Sequence, residues 1–253
     1  MRLAAFALLA LVGCGNGVGD DAPIYGGGGG SGGGGTGGDD TPQIDSGTGD
    51  AGTSVNGKVC IVADARFLTT SCKVTEVDGL LVTLAGSTAR TLGDGSFTIA
   101  EAGDSSTLWH VTSDSMSNSN ADVVPSIQQV SLSTILSTFS KTAYTNLLTN
   151  NGVDQVDTTG GLFLRTTHNN APQSGVSALT TQSMYVFYDN DQSGTQWQTS
   201  AQTATNGVIW IPNALPDQNG NVAITLTPPS GPDVHTDVKV LPGNITFATV
   251  AFP

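Results

Sequence analysis

The sequence predicts a mainly β protein: two small antiparallel β-sandwich modules joined by one amphipathic helix, after a disordered glycine-rich tether. Three observations predict it. Short segments alternate apolar and polar residues, with turn signals every 8 to 12 residues or so, the pattern of a sandwich. Charged residues are only 11% of the chain and glutamate occurs only at Glu76 and Glu101, so solubility rests on Ser, Thr, Asn, Gln and Gly, a balance that suits β-structure better than helix. A single stretch, residues 125–152, carries a helical period.

The chain begins with Arg2 as the only charge ahead of an apolar run, Leu3 to Val12, which stops at Gly13-Cys14-Gly15. A short positive region, an apolar core and small residues at its end make a secretory signal, and the run is too short for a membrane span of about 20 residues. Leu11-Val12-Gly13-Cys14 resembles the lipobox of bacterial lipoproteins. That resemblance implies a signal peptide over 1–13, cleavage before Cys14 and lipid on the new N-terminus. Thioether-linked diacylglycerol and an amide-linked acyl chain would anchor the protein, since stable attachment takes two signals at about 0.8 kcal/mol per buried CH2. The next residue is Gly15, not the aspartate that some lipoprotein families use for inner-membrane retention, so the outer membrane is the expected location.

Residues 14–54 are dominated by Gly, Ser, Thr and Asp, including the run GGGGGSGGGGTGGDD, and cannot bury enough apolar surface to offset the entropy of ordering. As a flexible coil of roughly 40 residues this tether has an r.m.s. span of about 35 Å. The net charge is −13, and loss of Arg2 with the signal removes one further positive charge. Eight basic residues in no cluster exclude a nucleic-acid partner, which needs a cationic footprint. Of the three cysteines, Cys14 is assigned to lipid; Cys60 and Cys72, twelve apart in an exported chain, are most simply a disulfide.

Residues 57–63 read as a short strand, and VDGLLVTLAG as the next, with Leu81, Thr83 and Ala85 on one side and Leu80, Val82 and Leu84 on the other. Asp94-Gly95 marks a hairpin turn ahead of Ser96-Phe97-Thr98-Ile99, and STLWHVTSDS alternates again. Gly57-x-Val59, Asp78-Gly79-Leu80-Leu81-Val82-Thr83-Leu84 and Asp94-Gly95-Ser96-Phe97-Thr98-Ile99 resemble the carboxypeptidase regulatory-like, or transthyretin-like, β-sandwich module. The match covers about 60 residues within 55–120, with a longer spacer holding both cysteines between the first two strands. The resemblance implies an accessory module only, because no histidine (His110, His168 or His235) has a Glu three residues on, as the zinc enzyme of that family requires.

Residues 154–253 repeat the pattern as a second, larger sandwich: GLFLRTTH, Gly175-Val176, then TNGVIWIPNALPDQNGNVAITLT as the counterpart of the first hairpin, with final strands DVKV and NITFATVAF. Between the two modules, within 121–153, Leu132, Ile135, Leu136, Phe139, Ala143 and Leu147 fall on one helical face. Ser126 with Gln129 reads as a capping box and Gly152 as the C-terminal cap.

The chemistry-bearing residues are sparse. In DNDQSG, Asp189, Asp191, Ser193 and Gly194 occupy positions 1, 3, 5 and 6 of a calcium loop, but position 12 is Ser200, so the segment reads either as half a calcium motif or as a polar hairpin tip. His235 between Asp233 and Asp237 pairs a base with orienting carboxylates, yet no nucleophile motif accompanies it, and an inert surface loop is expected there. Trp109 and Trp210 lie inside alternating strands and are expected in the core; Trp197, beside the acidic excursion, is expected to be exposed. The expectation is a non-catalytic, lipid-anchored component of the bacterial cell envelope that binds or supports other molecules. Its sharper variant binds a glycan or an envelope protein through Asp189, Asp191 and Trp197; an envelope hydrolase is the rival.

Overall fold

The computed structural model describes residues 54–68, 71–100, 108–117, 122–129, 134–189, 197–199 and 202–253. The signal segment, Cys14 and the tether up to residue 53 lie outside the described residues, as do Asp191 and Ser193. The strands are β1 (Val55–Val62), β2 (Cys72–Lys73), β3 (Leu81–Leu84), β4 (Ser87–Arg90), β5 (Ser96–Ile99), β6 (Leu108–Thr112), β7 (Ser126–Gln129) and β8 (Thr134–Thr138). After the helix α1 (Lys141–Asn150) come β9 (Gly160–His168), β10 (Ala171–Pro172), β11 (Ser177–Leu179), β12 (Phe187–Tyr188), β13 (Val208–Ala214), β14 (Asn221–Thr227), β15 (Val234–Lys239) and β16 (Ile245–Phe252). The protein is mainly β, as its alternating pattern predicts.

One large sheet runs in the order β12-β13-β9-β16-β7-β6-β3-β4, with β10 extending β9. Its pairings are antiparallel except β9–β16 and β16–β7, which are parallel. Register partners share a face of a sheet. Phe163, Phe247, Gln128, Trp109 and Leu84 therefore form one cross-strand row, and Leu162, Thr246, Ile127, His110 and Thr83 form the row behind it. The first face is covered by the sheet built on β1 and by α1. The second is covered at Leu162 and Leu164 by the small sheet β11-β14-β15, which contributes Val222, Ile224, Leu226 and Val238 to a shared core. Strand β9 is thus buried on both faces through Leu162, Phe163 and Leu164.

The stretches expected as separate modules, 55–120 and 154–253, share this sheet and belong to one compact unit, Thr48–Pro253. The joint is the parallel alignment of Ile245–Phe247 in β16 with Ser126–Gln128 in β7. Sequence periodicity within each half carries no information about a pairing between residues more than 100 apart.

The connecting helix is also shorter than its sequence pattern implies. Among the described residues of 121–153, only Lys141–Asn150 is helical; Ser126–Gln129 and Thr134–Thr138 are strands. The Ser/Thr-rich, β-branched run Thr134-Ile135-Leu136-Ser137-Thr138 fits a pleated surface better than a helix. There it pairs parallel with Gly57–Ile61, burying Leu136 and leaving Ile135 53% exposed. Ser126 is no helix cap: it is buried, and its hydroxyl donates to Val124 O (2.9 Å). The cap is Ser140, whose Oγ accepts from Ala143 N (3.2 Å). Gly152 does close the helix, at φ +65°, with Val153 N donating to Leu148 O (3.0 Å).

The tight hairpin of the first half is at Ala85 and Gly86 (φ +50° and +87°), joining β3 to β4. Asp94-Gly95 instead carries the chain from one sheet to the other, since β4 pairs with β3 and β5 with β1. There Leu92 N donates to Ser96 O and Gly95 N to Leu92 O (2.8 Å each). The same two bonds recur in the second half, Asp217 N to Asn221 O and Gly220 N to Asp217 O (2.9 Å each), where β13 and β14 likewise enter different sheets. In both turns the glycine oxygen accepts a backbone hydrogen bond, from Val59 N in β1 and from Val240 N just past the end of β15. Gly95 (φ +82°) admits no side chain, since a Cβ would meet Val59 O at 2.5 Å.

Cys60 and Cys72 form a disulfide with Cα atoms 5.2 Å apart, tying β1 to β2 and closing the loop between them. Closing a loop of this size stabilises by about 3 kcal/mol in the chain-entropy account. On β4, Arg90 spans two segments, donating to Gly79 O (2.7 Å) and pairing with Asp114 (Nη2–Oδ2 2.7 Å). The Arg90 hydrogen bonds and the Met116 amide hold the Asp114 carboxyl down to about 2, below the usual 3.8. A carboxylate lowered in this way adds stability that is present above pH ~3.8 and lost as the pH falls toward 2. Asp114→Asn should therefore melt below the wild type at neutral pH, and the two melting temperatures should converge as the pH drops from about 4 toward 2. Parallel curves across that range would exclude the pair as the source.

Candidate functional site

The site grows from the end of β12. Asp189 follows Phe187 and Tyr188 and has no exposed surface. Its carboxylate accepts from Ala204 N (2.8 Å), Asn206 N (2.9 Å) and Val208 N (3.3 Å), fixing the turn that leads into β13. A buried carboxylate is tolerated when amide donors and a cation surround it. The cation is Arg66, whose guanidinium feels the Asp189 charge.

Arg66 belongs to a single 3-10 turn, Ala65–Phe67, inside the loop closed by the disulfide. Asp64 caps that turn, accepting Arg66 N at 3.0 Å, and grips the guanidinium through Nε–Oδ1 (3.0 Å) and Nη2–Oδ2 (2.7 Å). Burial pushes the Asp64 carboxyl up, but the Arg66 hydrogen bonds outweigh it and hold it below its ordinary value. The guanidinium also lies 5.6 Å from the centre of the Phe67 ring, within cation–π range.

Strand β9 brings a second arginine to the same place. Arg165 lies opposite Val208 of β13 and Thr249 of β16. Arg66, Phe67, Leu68, Arg165, Pro172, Asn206 and Val208 line an open cavity of ≈ 260 Å³. Leu68 and Val208 are buried at its base, whereas Phe67 and Pro172 are exposed at its rim. Among the described residues Arg165 is the cation here without an ion pair.

The residues singled out from sequence divide sharply. Asp189 is beside this cavity but faces away from solvent, occupied by three amides, so it is a structural carboxylate rather than the first ligand of an open loop. Trp197 is only 7% exposed, against the expectation of a surface ring. It packs 5.5 Å from Trp210 and 6.1 Å from Phe163, and its amide donates to Asn151 Oδ1 (3.2 Å). The apolar face of α1 and the β9–β13 aromatics draw it inward. Trp109 and Trp210 are fully buried, as expected of core residues. His235 lies on β15 rather than in a loop, exposed, with Nδ1 2.9 Å from Thr225 Oγ1. Among the described residues no group of three or more His, Cys, Asp and Glu side chains is placed to hold a metal ion.

Sequence reasoning missed Arg66, Arg165 and Asn206. The one available signal was Arg165 itself, a charge inside the otherwise uncharged run GGLFLRTT. No family model matches the chain, and no curated protein matches it.

Two substitutions test the inward assignment by urea unfolding. Asp189→Ala orphans three buried amides and removes one of the two carboxylates that balance Arg66, and should cost about 3 kcal/mol or more. Trp197→Ala should cost about 3–5 kcal/mol as a core truncation. Changes within about 0.5 kcal/mol, the range of a surface residue, would contradict both placements.

Proposed function

We propose that this protein is an exported, lipid-anchored β-sandwich protein of the bacterial cell envelope, acting as a non-catalytic binding or structural component. The observation that carries the reading is the Cys60–Cys72 bridge, read together with the Arg2, Leu3–Val12 and Leu11-Val12-Gly13-Cys14 pattern. Disulfides persist in oxidising compartments, and an exported chain of three cysteines in which two pair leaves Cys14 alone at the end of the signal. The tether then lets a compact β-unit stand off the bilayer. The aspartates of the tether and the chain's net charge of −13 favour separation from an anionic headgroup surface.

The resemblance to carboxypeptidase regulatory-like modules enters here on the same footing. Strands β1, β3 and β5 coincide with the three motif segments, and an accessory role for such a module supports binding or support rather than turnover. The fold alone does not specify the ligand.

The anchor has a direct test. Intact mass of detergent-extracted protein should show loss of residues 1–13 with a lipid increment on Cys14, and Cys14→Ser should move the protein from the membrane to the soluble fraction. A serine variant that sediments with membranes as completely as the wild type would overturn the assignment.

A further inference from the structure

We propose that the cavity between Arg66 and Arg165 binds a small ring-bearing monocarboxylate. The inference is independent of the anchor, because neither Cys14 nor the signal enters it.

Four features of the cavity define the ligand. Arginine is scarce here: the chain has eight Lys and Arg residues in all, and two of them line one cavity of ≈ 260 Å³. The volume is just under the range of drug-sized sites, about 300–1,000 Å³, and fits one ring with a substituent. The base and rim, Leu68, Val208, Phe67 and Pro172, offer apolar and aromatic surface for the ring. The polar end offers donors, the Arg165 guanidinium and the Asn206 side chain, which suit the two oxygens of a carboxylate.

The charge count selects a monoanion. Arg66 is held by Asp64 at 2.7 Å and balanced further by Asp189, so its charge is already spent within the protein. Arg165 contributes the one positive charge that a ligand can neutralise. A dianion such as a phosphate monoester would meet the fields of Asp64 and Asp189 with no second cation to answer them. The paired arginine is nevertheless part of the site: its fixed plane and the Phe67 ring shape one wall. Asp189 sets the opposite wall by fixing the Asn206 amide at 2.9 Å.

The test uses the full chain in detergent and isothermal titration with benzoate, glucuronate, benzamide and phenyl phosphate. Benzoate or glucuronate should bind with a Kd of about 1 mM or tighter, and the stronger of the two identifies an aromatic acid or an acidic sugar as the source. Benzamide, a neutral isostere, and phenyl phosphate should each bind at least about ten-fold more weakly. Arg165→Gln should weaken carboxylate binding about 10- to 100-fold, and Arg165→Lys should restore part of it, with unfolding midpoints near the wild type because Arg165 is half-exposed. No carboxylate heat up to about 10 mM, equal binding of benzoate and benzamide, tighter phenyl phosphate, or an Arg165→Gln variant that binds like the wild type would each overturn the proposal.

Discussion

A ladder of aromatic rings, one per strand, is what the rest of the structure hangs on. Phe187, Trp210, Phe163 and Phe247 are successive register partners across β12, β13, β9 and β16, with adjacent ring centres 4.9, 5.9 and 5.6 Å apart. Each buried aromatic removes about 150–250 Å² from water. Four in a row fix the register of four strands at once, because a slip of one residue would turn every ring to the opposite face. Trp197, Phe139 and Tyr144 close over the ladder, so the helix and the loop after β12 are positioned by it. Gly161 belongs to the same arrangement: a Cβ there would collide with the Tyr144 ring, so the bare backbone of β9 lets the helix approach.

The row continues past the ladder into Gln128, Trp109 and Leu84, and the polar member explains how the halves join. Gln128 is in the large sheet, yet its side chain donates to Ile135 O (3.1 Å) and accepts from Ser137 N (2.7 Å). It thereby satisfies the outer edge of β8, a strand whose other side pairs with β1. A sheet edge left bare invites pairing with another chain, and a side-chain amide mimicking a strand removes that hazard. Gln182 plays the same part beside β14, exchanging bonds with Asn221 O (3.0 Å) and Ala223 N (2.7 Å).

What could be read from sequence follows from the range of each interaction. Alternation located the first and last strands well, since which side chains point inward is a local property of the pleat. Asp94-Gly95 announced a turn, but a turn signal does not say whether the chain folds back in the same sheet or crosses to another. Ser126–Gln129 and Thr134–Thr138 are strands although Ile135, Leu136 and Phe139 keep a helical spacing, because a short apolar run does not decide between the two states and pairing with β1, more than 70 residues earlier, does. The site was legible only indirectly. Asp189 was singled out for its acidity and proves to be central, but for the opposite reason: it faces inward. Trp197 looked exposed because its neighbours are polar, and the ladder that buries it is assembled from strands on either side of it in the chain. Arg66 and Arg165 are about 100 residues apart and share no motif.

The Cys60–Cys72 bridge closes the loop that carries Arg66, Phe67 and Leu68, one wall of the arginine cavity, together with Asp64, which holds the Arg66 guanidinium. A three-residue 3-10 turn has little stability of its own. With the thiols reduced, that wall would be held by the short β1–β2 ladder and by the packing of Ala65 and Leu68, without the covalent tie at its base. The bridge is thus a tie for the cavity wall as well as a staple for the fold. In a reducing solution the chain would carry every residue of the site with one wall held less firmly, so the cavity inherits a redox sensitivity that no residue lining it possesses.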